Sequence, residues 1–335
     1  MKPGQKKRRR QRSGKFSEWC VHNMKFNKAI TGIDRSGSFR VYMAVTTEMV
    51  QQAHELHGTS PLATHLLGRA LTGTGIMGLM LREPGFKITL QFKGDGPAQQ
   101  VLCTAGSDRS VKGYIVNPAV DLPAREDGSP DVGGALGIGV LTCIRDAGVK
   151  EPYVGKIDFV TGEIADDLTA YFWISEQQQT SVSLGVKLDE EANVAAAGGM
   201  IIQMLPDATE ECISALEKWL PEMPKISELT DEVCRDAEGR SVESIMEEFL
   251  KRAFLGLPDE FEVMPMDMLD IGWFCDCSEE RLEQVVKSLG AKEIKNIIDE
   301  DGQAEITCQF CGTAYHFDRD HLEKLRLECL KDRFI

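Results

Sequence analysis

Two periods of apolar residues alternate along the chain from about residue 39 onward: every second position, the mark of a strand, and every third or fourth, the mark of a helix. Phe39 to Thr46 is rich in Phe, Val, Tyr and Thr at period two and predicts a first strand. Ser60-Pro61 is a helix start, with Ser as N-cap and Pro at the first helical position. Leu62, Leu66, Leu67, Ala70 and Leu71 carry that helix toward Met80. Phe86 to Phe92 alternates, Gly94-Asp95-Gly96-Pro97 has turn chemistry, and Val101 to Thr104 resumes the apolar run, so a hairpin is expected. Further strands are expected at Val140 to Ile144, after the glycine-rich Gly133 to Gly139, and at Tyr153 to Val160. Thr161-Gly162-Glu163 opens a helix whose apolar face is Ile164, Leu168, Tyr171 and Phe172. Val182, Leu184, Val186 and Leu188 then alternate strictly, and Ala195 to Leu205 closes this half. Intermixed elements with hairpin signals predict an α+β core over residues 19–206, mixed and largely antiparallel.

From Asp207 the texture turns helical and acidic. Asp207 is placed to cap Ala208 to Leu220 and Ser241 to cap Val242 to Phe254, so residues 207–254 read as a helical middle region. Residues 255–270 carry Pro258, Pro265, Met264, Met266 and Met268 among several acids, which supports neither helix nor strand and predicts a flexible linker. In the last unit, 271–335, Ser278 caps a helix to Leu289, Gly290 stops it, a second short helix reaches Ile298, and a terminal helix starts at Asp318. Some sixty residues make a marginal core, which calls for a staple.

At 335 residues and 42% apolar content the chain is globular, and no charged-then-apolar signal sequence or bilayer-length apolar stretch is read from it. A cytoplasmic protein with reduced thiols and no membrane partner is therefore expected. The net charge of −15 is uneven: Lys2, Lys6, Lys7, Arg8, Arg9, Arg10, Arg12 and Lys15 form a head with no acid among them. Residues 1–18 read as a basic disordered tail. The acidic body argues against duplex nucleic acid, and only residues 1–15 could touch RNA or an anionic surface.

The chemistry concentrates near the C-terminus, where Cys275, Cys277, Cys308 and Cys311 make a C-x-C and a C-x-x-C pair. Four thiolates close a tetrahedral shell around zinc with no open position, which disfavours hydrolytic zinc chemistry and leaves a structural clip or a redox switch. Two dithiols without metal are the alternative to one zinc per chain. Thirty residues separate the pairs, a helical hairpin among them, and Gly312 suits a tight metal knuckle. His316, His321 and Cys329 lie close in sequence, but a helix face or an aromatic pair explains each more simply than ligation. Removing a metal worth about 10–16 kcal/mol should unfold such a module, and thiol oxidation is one way to remove it.

Other motifs carry less. Gly73-Thr74-Gly75-Ile76-Met77-Gly78 fits G-x-G-x-x-G but lies inside a helical pattern, so helix packing explains it better than a dinucleotide site, and the sequence has no P-loop. Cys20, Cys103, Cys143, Cys212, Cys234 and Cys329 are scattered, and most of them read as small buried hydrophobes, without support for a nucleophilic enzyme.

Beyond the cysteines, the chain resembles the thirty-three-kilodalton chaperonin family of redox-regulated bacterial holdases. The matching strings are His57-Gly58-Thr59-Ser60-Pro61, Gly94-Asp95-Gly96-Pro97, Gly113-Tyr114, Glu151-Pro152-Tyr153, Gly162-Glu163-Ile164-Ala165, Ser175-Glu176-Gln177, Ala197-Gly198-Gly199, Cys275-Asp276-Cys277-Ser278 and Cys308-Gln309-Phe310-Cys311. The resemblance implies an ATP-independent chaperone, not an enzyme, that is inactive when reduced and zinc-bound. It further implies that oxidation pairs Cys275 with Cys277 and Cys308 with Cys311, releases zinc, and disorders the linker and helical unit. Apolar surface then holds unfolding client proteins, and the active form is a homodimer. The basic head extends beyond the usual family start, so nothing carries over to it. Two alternatives from other classes remain: a zinc ribbon binding RNA or ribosomes through that head, and a thiol oxidoreductase.

Overall fold

A computed structural model describes residues 26–237 and 239–331. The basic tail, Cys20 and the RNA-binding alternative that rests on the tail fall outside the described residues. Strands β1 (Asn27–Asp34) and β2 (Phe39–Thr46) lead into α1 (Thr47–His57) and the long α2 (Pro61–Leu79). Then come β3 (Lys87–Gly94), β4 (Gln100–Gly106), β5 (Ser110–Ile115), a short α3 (Val132–Leu136), β6 (Gly139–Asp146), β7 (Tyr153–Asp158), α4 (Ile164–Ile174), β8 (Thr180–Leu188) and β9 (Val194–Met204). Helices α5 (Glu210–Trp219), α6 (Ile226–Arg235) and α7 (Val242–Ala253) follow, then β10 (Val263–Leu269) and β11 (Gly272–Trp273). The chain closes with α8 (Glu279–Ser288), α9 (Ala291–Glu300), β12 (Ala304–Thr307), β13 (Ala314–Phe317) and α10 (Arg319–Lys331).

The α+β, largely antiparallel architecture read from the sequence is the one found. One sheet runs β10-β1-β2-β9-β8 and the other β11-β5-β4-β3-β6-β7, antiparallel throughout except where β11 lies parallel to β5. Helix α2 lies between them, packed on β4 and β5 of one sheet and on β8 and β9 of the other. Its start follows the expected chemistry, with Ser60 accepting from the Ala63 N–H and Pro61 opening the helix. The glycines of the G-x-G-x-x-G string lie in this helix as packing surfaces: a Cβ at Gly75 would meet Ile271 at 2.7 Å, and one at Gly78 would meet the Ala105 Cβ at 2.8 Å.

The period of β2 explains the third layer. Tyr42 and Ala44 point into the α2 core, whereas Phe39, Val41, Met43 and Val45 point the other way and are covered by α5, α6 and α7. Trp219, Leu229, Val233, Ile245, Met246 and Phe249 supply the covering side chains. Ser241 and Ser278 cap α7 and α8 as the sequence predicts, but α5 is capped by Thr209, whose hydroxyl accepts from the Cys212 N–H, and not by Asp207. Asp207 falls two residues short because Pro206 and Asp207 form a turn, closed by the Ala208 N–H donating to the Leu205 carbonyl at 3.0 Å.

The expectation for 255–270 needs correction. Val263–Leu269 forms β10, an edge strand antiparallel to β1, with Ile30 opposite Met268 and Ile33 opposite Met264. An edge position tolerates Pro265, which has no N–H to give, and the pairing signal resides in β1, more than two hundred residues away. The ladder shifts register between Ile30 and Gly32, where Thr31 Oγ1 accepts from the Asp267 N–H at 3.1 Å. Met264 and Met266 are exposed.

Candidate metal centre

Strand β11 delivers the first cysteine pair. Gly272 and Trp273 pair with Ser110 and Val111 of β5, the Phe274 N–H donates to the Val111 carbonyl at 3.0 Å, and Cys275 follows at once. The second pair sits in the turn of the β12–β13 hairpin, where the Cys308 N–H donates to Thr313 O at 2.9 Å and the Gly312 N–H to Cys308 O at 2.8 Å. Gly312 takes a positive φ of 69°, the conformation that closes this knuckle and that a residue with a Cβ adopts at a cost. Helices α8, α9 and α10 return the chain between and around the two knuckles. Their core is small: Val286, Ile294, Ile298, Phe317, Leu322 and Leu325 are its buried members.

The four sulfurs converge. Sγ atoms of Cys275, Cys277, Cys308 and Cys311 all lie within 4.8 Å of one another, with Cys275 to Cys308 at 3.7 Å and Cys277 to Cys311 at 3.3 Å. A tetrahedral shell with metal–sulfur bonds of about 2.3 Å has edges of about 3.8 Å, so the set fits a four-thiolate metal site and could hold a metal ion. Hydroxyls complete the surroundings: Tyr315 donates to the Cys277 sulfur at 3.2 Å, and Thr313 Oγ1 lies 3.2 Å from that of Cys311. Burial pushes the Cys275 thiol up, with the neighbouring sulfurs adding to the effect, and burial raises Cys277 even though Tyr315 pulls the other way. Burial also works against ionisation of Cys311, but Thr313 and the adjacent sulfurs outweigh it and lower that thiol to about 7. Four thiolates this close repel one another, so the set ionises fully only around a cation.

The neighbouring His316, His321 and Cys329 have partners of their own. His316 Nδ1 is 3.0 Å from Glu305, His321 Nε2 is 2.8 Å from Glu283 with its ring against Phe317, and the Cys329 thiol faces the Lys287 carbonyl at 3.5 Å. Cys103, Cys143, Cys212 and Cys234 are buried in the core clusters, as their scatter in sequence suggests.

Both knuckles rest on β5, a docking that spacing does not reveal. Asp276, between the first two cysteines, is ion-paired with Lys112 and Arg281 and lies 3.4 Å from Lys87. Burial opposes its ionisation, but Lys112 and Arg281 prevail and hold the carboxyl well below the usual range. Phe310, between the second two, meets Tyr114 edge to face at 5.3 Å.

A family model described as Hsp33 protein matches residues 27–318. The chain belongs to the Hsp33 protein family. It is 43% identical over 305 residues to the 33 kDa chaperonin of Alkaliphilus oremlandii, which covers 91% of this chain and 97% of that protein. It is 41% identical to the 33 kDa chaperonin of Ruminiclostridium cellulolyticum, over 88% of this chain and 96% of the other. The crystal structure of the 33 kDa chaperonin (Heat shock protein 33 homolog) from Thermotoga maritima superposes with a TM-score of 0.78 at 32% identity, covering 91% of this chain and 99% of that one. Membership of this chaperone family bears out the resemblance drawn from the quoted strings. Among the described residues no helix is long and apolar enough to cross a membrane.

Proposed function

We propose that this chain is an ATP-independent holdase gated by oxidation of Cys275, Cys277, Cys308 and Cys311, with one zinc ion per chain in the reduced form. The observation that carries the reading is the convergence of four sulfurs at tetrahedral spacing on knuckles docked to β5. Zinc bound there would contribute about 10–16 kcal/mol to the order of a module whose own core is six buried side chains.

Oxidation by a peroxide is the opening step. Two thiolates give up two electrons to one peroxide, an S–S bond forms, the O–O bond breaks, and both oxygens leave as water after taking up protons. Two peroxides thus consume all four donors. The pairs Cys275–Cys277 and Cys308–Cys311 are those that the resemblance to the family implies. Release of Gly272–Asp276 from β5 frees the end of β10, whose ladder on β1 is an exposed edge. The helical layer after the core strands then parts from the sheet, and Phe39, Val41, Met43 and Ile202 become available to unfolding client proteins. The oxidised form acts as a homodimer in the cytoplasm.

Zinc quantification with thiol counting, before and after peroxide with mild heating, tests the reading. One metal and four thiols should disappear together, and suppression of client aggregation without ATP should appear only afterwards. Equal suppression by the reduced and oxidised protein would overturn it.

A further inference from the structure

A groove with a volume of about 700 Å³ lies away from the sulfurs, between α5 and the turn that precedes β10. Its apolar floor is Trp219, Leu255 and Phe261. Trp219 and Phe261 are buried in the second core, but Leu255 is 78% exposed, held out on a carbonyl that accepts from the Trp219 indole N–H at 3.2 Å. The rim is acidic: Glu210, Glu211, Glu222 and Glu260 face it, against Lys218 as the opposing cation among the lining residues. An exposed leucine ringed by carboxylates suits a ligand that is both cationic and apolar.

The same chain contains such a segment. Lys2 to Lys15 carries eight cations and no acid, and Phe16 and Trp19 follow, with Ser17 and the single acid Glu18 between them. The rest of the chain accordingly has a net charge of −23, since 38 basic less these eight leaves 30 against 53 acidic residues. The head joins the body at Phe26, which is buried in the same core cluster as Trp219, Phe254 and Phe261. The eleven residues from Lys15 to Phe26 can span about 35 Å when extended, so the cations can reach the groove.

We propose that the basic head of residues 2–19 docks in cis into this acidic groove, with its cations on the glutamate rim and its aromatic end over Leu255. The docked head braces the Leu255–Phe261 turn and thereby the start of β10. Docking stands independently of redox gating. Its consequence, a higher threshold for releasing β10, rests on that reading.

The test uses the full-length, reduced and metal-loaded chain. Zero-length carbodiimide crosslinking of an equal mixture of isotopically light and heavy protein should join Lys6, Lys7 or Lys15 to Glu210, Glu211, Glu222 or Glu260 within one chain. Light–heavy hybrids would show a second copy to be the occupant, and links spread evenly over the acidic body would show no docking at all; either overturns the proposal. Replacing Lys6, Lys7, Arg8, Arg9, Arg10 and Arg12 by Gln should speed amide hydrogen exchange across residues 254–262 by about fivefold, the loss expected from a few solvent-exposed ion pairs. Raising the salt should do the same to the unmodified chain. Glu210→Lys with Glu211→Lys should reproduce the effect, whereas Glu190→Lys with Glu191→Lys, on the exposed β8–β9 turn, should not. Unchanged exchange in the six-fold variant, or an equal effect from the two glutamate pairs, sinks the proposal. Neither readout measures chaperone activity, so failure here is distinguishable from failure of the redox reading.

Discussion

The Lys112 ammonium lies 4.7 Å from the centroid of the Phe310 ring, so a cation of the core sheet rests on the residue between Cys308 and Cys311. Its other partner is Asp276, the residue between Cys275 and Cys277. One side chain of β5 therefore reads both knuckles at once, through a cation–π contact and an ion pair. Lys112→Met removes both while keeping the alkyl stem. We expect the docking of the knuckles on β5 to weaken by about 1–2 kcal/mol, because the lysine is largely shielded from solvent and its partners are not wholly so. Metal transfer to a chelating dye should accelerate about tenfold with the bound stoichiometry unchanged. An unaltered transfer rate would mean that docking does not guard the centre.

Cys311→Ser tests the centre itself. Serine is close in size but supplies a hydroxyl of high pKa in place of a thiolate, so the shell loses one of its four donors. Bound zinc should fall to a small fraction of one per chain, and the amide resonances of residues 272–331 should collapse toward random-coil positions, while those of β1 to β9 remain dispersed. If the module stays folded and metal-free, the small core of Val286, Ile294, Phe317 and their neighbours suffices without a staple.

An acid sensitivity is built into the α2 core at His65. Burial, with the charge of Arg69 adding to it, lowers this imidazole from 6.5 to about 4, and its Nδ1 is buried with no hydrogen-bond partner among the described residues. A lowered histidine leaves stability unaffected above pH 6.5, where both folded and unfolded chains hold it neutral. As pH falls from 6.5 toward 4 the unfolded chain takes up a proton that the folded one refuses, so stability drops through that window. The drop attributable to His65 is about 2–3 kcal/mol. Denaturant unfolding of the metal-loaded protein at pH 7.0 and 5.0 should show it, and His65→Gln should flatten the slope; equal slopes would assign the acid sensitivity elsewhere.

The parts of this molecule that the sequence discloses are those whose signals are local. Ser60, Ser241 and Ser278 cap where expected because a cap is a contact between residues three apart. The four cysteines announce their centre because thiolate pairs have a recognisable spacing. Strand β10 is different: its Met-rich, Pro-bearing composition has no period, and it becomes a strand only because β1 offers an open edge. Lys112 likewise carries no mark in its own neighbourhood. Its role comes from the parallel pairing of β11 with β5, which no run of residues encodes. Asp276 is the nearest thing to a hint, since a carboxylate set between two closely spaced cysteines gains from a cation nearby.

The edge strand is also where the proposed switch is most open to manipulation. Gly32 faces β10 at the register shift, and a Cβ placed there would stand 2.7 Å from Val263 Cγ1 and 3.0 Å from the Met264 carbonyl oxygen. The valine methyl can turn aside, but the carbonyl belongs to the backbone that pairs with β1, so relief has to come from β10 moving away. Gly32→Ala should therefore loosen β10 by about 1–2 kcal/mol, an overpacking cost confined to one edge. The β1–β2 pairing is on the opposite edge of β1 and should hold. Hydrogen exchange at residues 263–269 should speed about tenfold in the reduced, metal-loaded protein, with β2 and β9 unchanged. If release of β10 is a step toward client binding, the same variant should suppress aggregation after a lower dose of peroxide. Faster exchange without that shift would uncouple the edge strand from the switch.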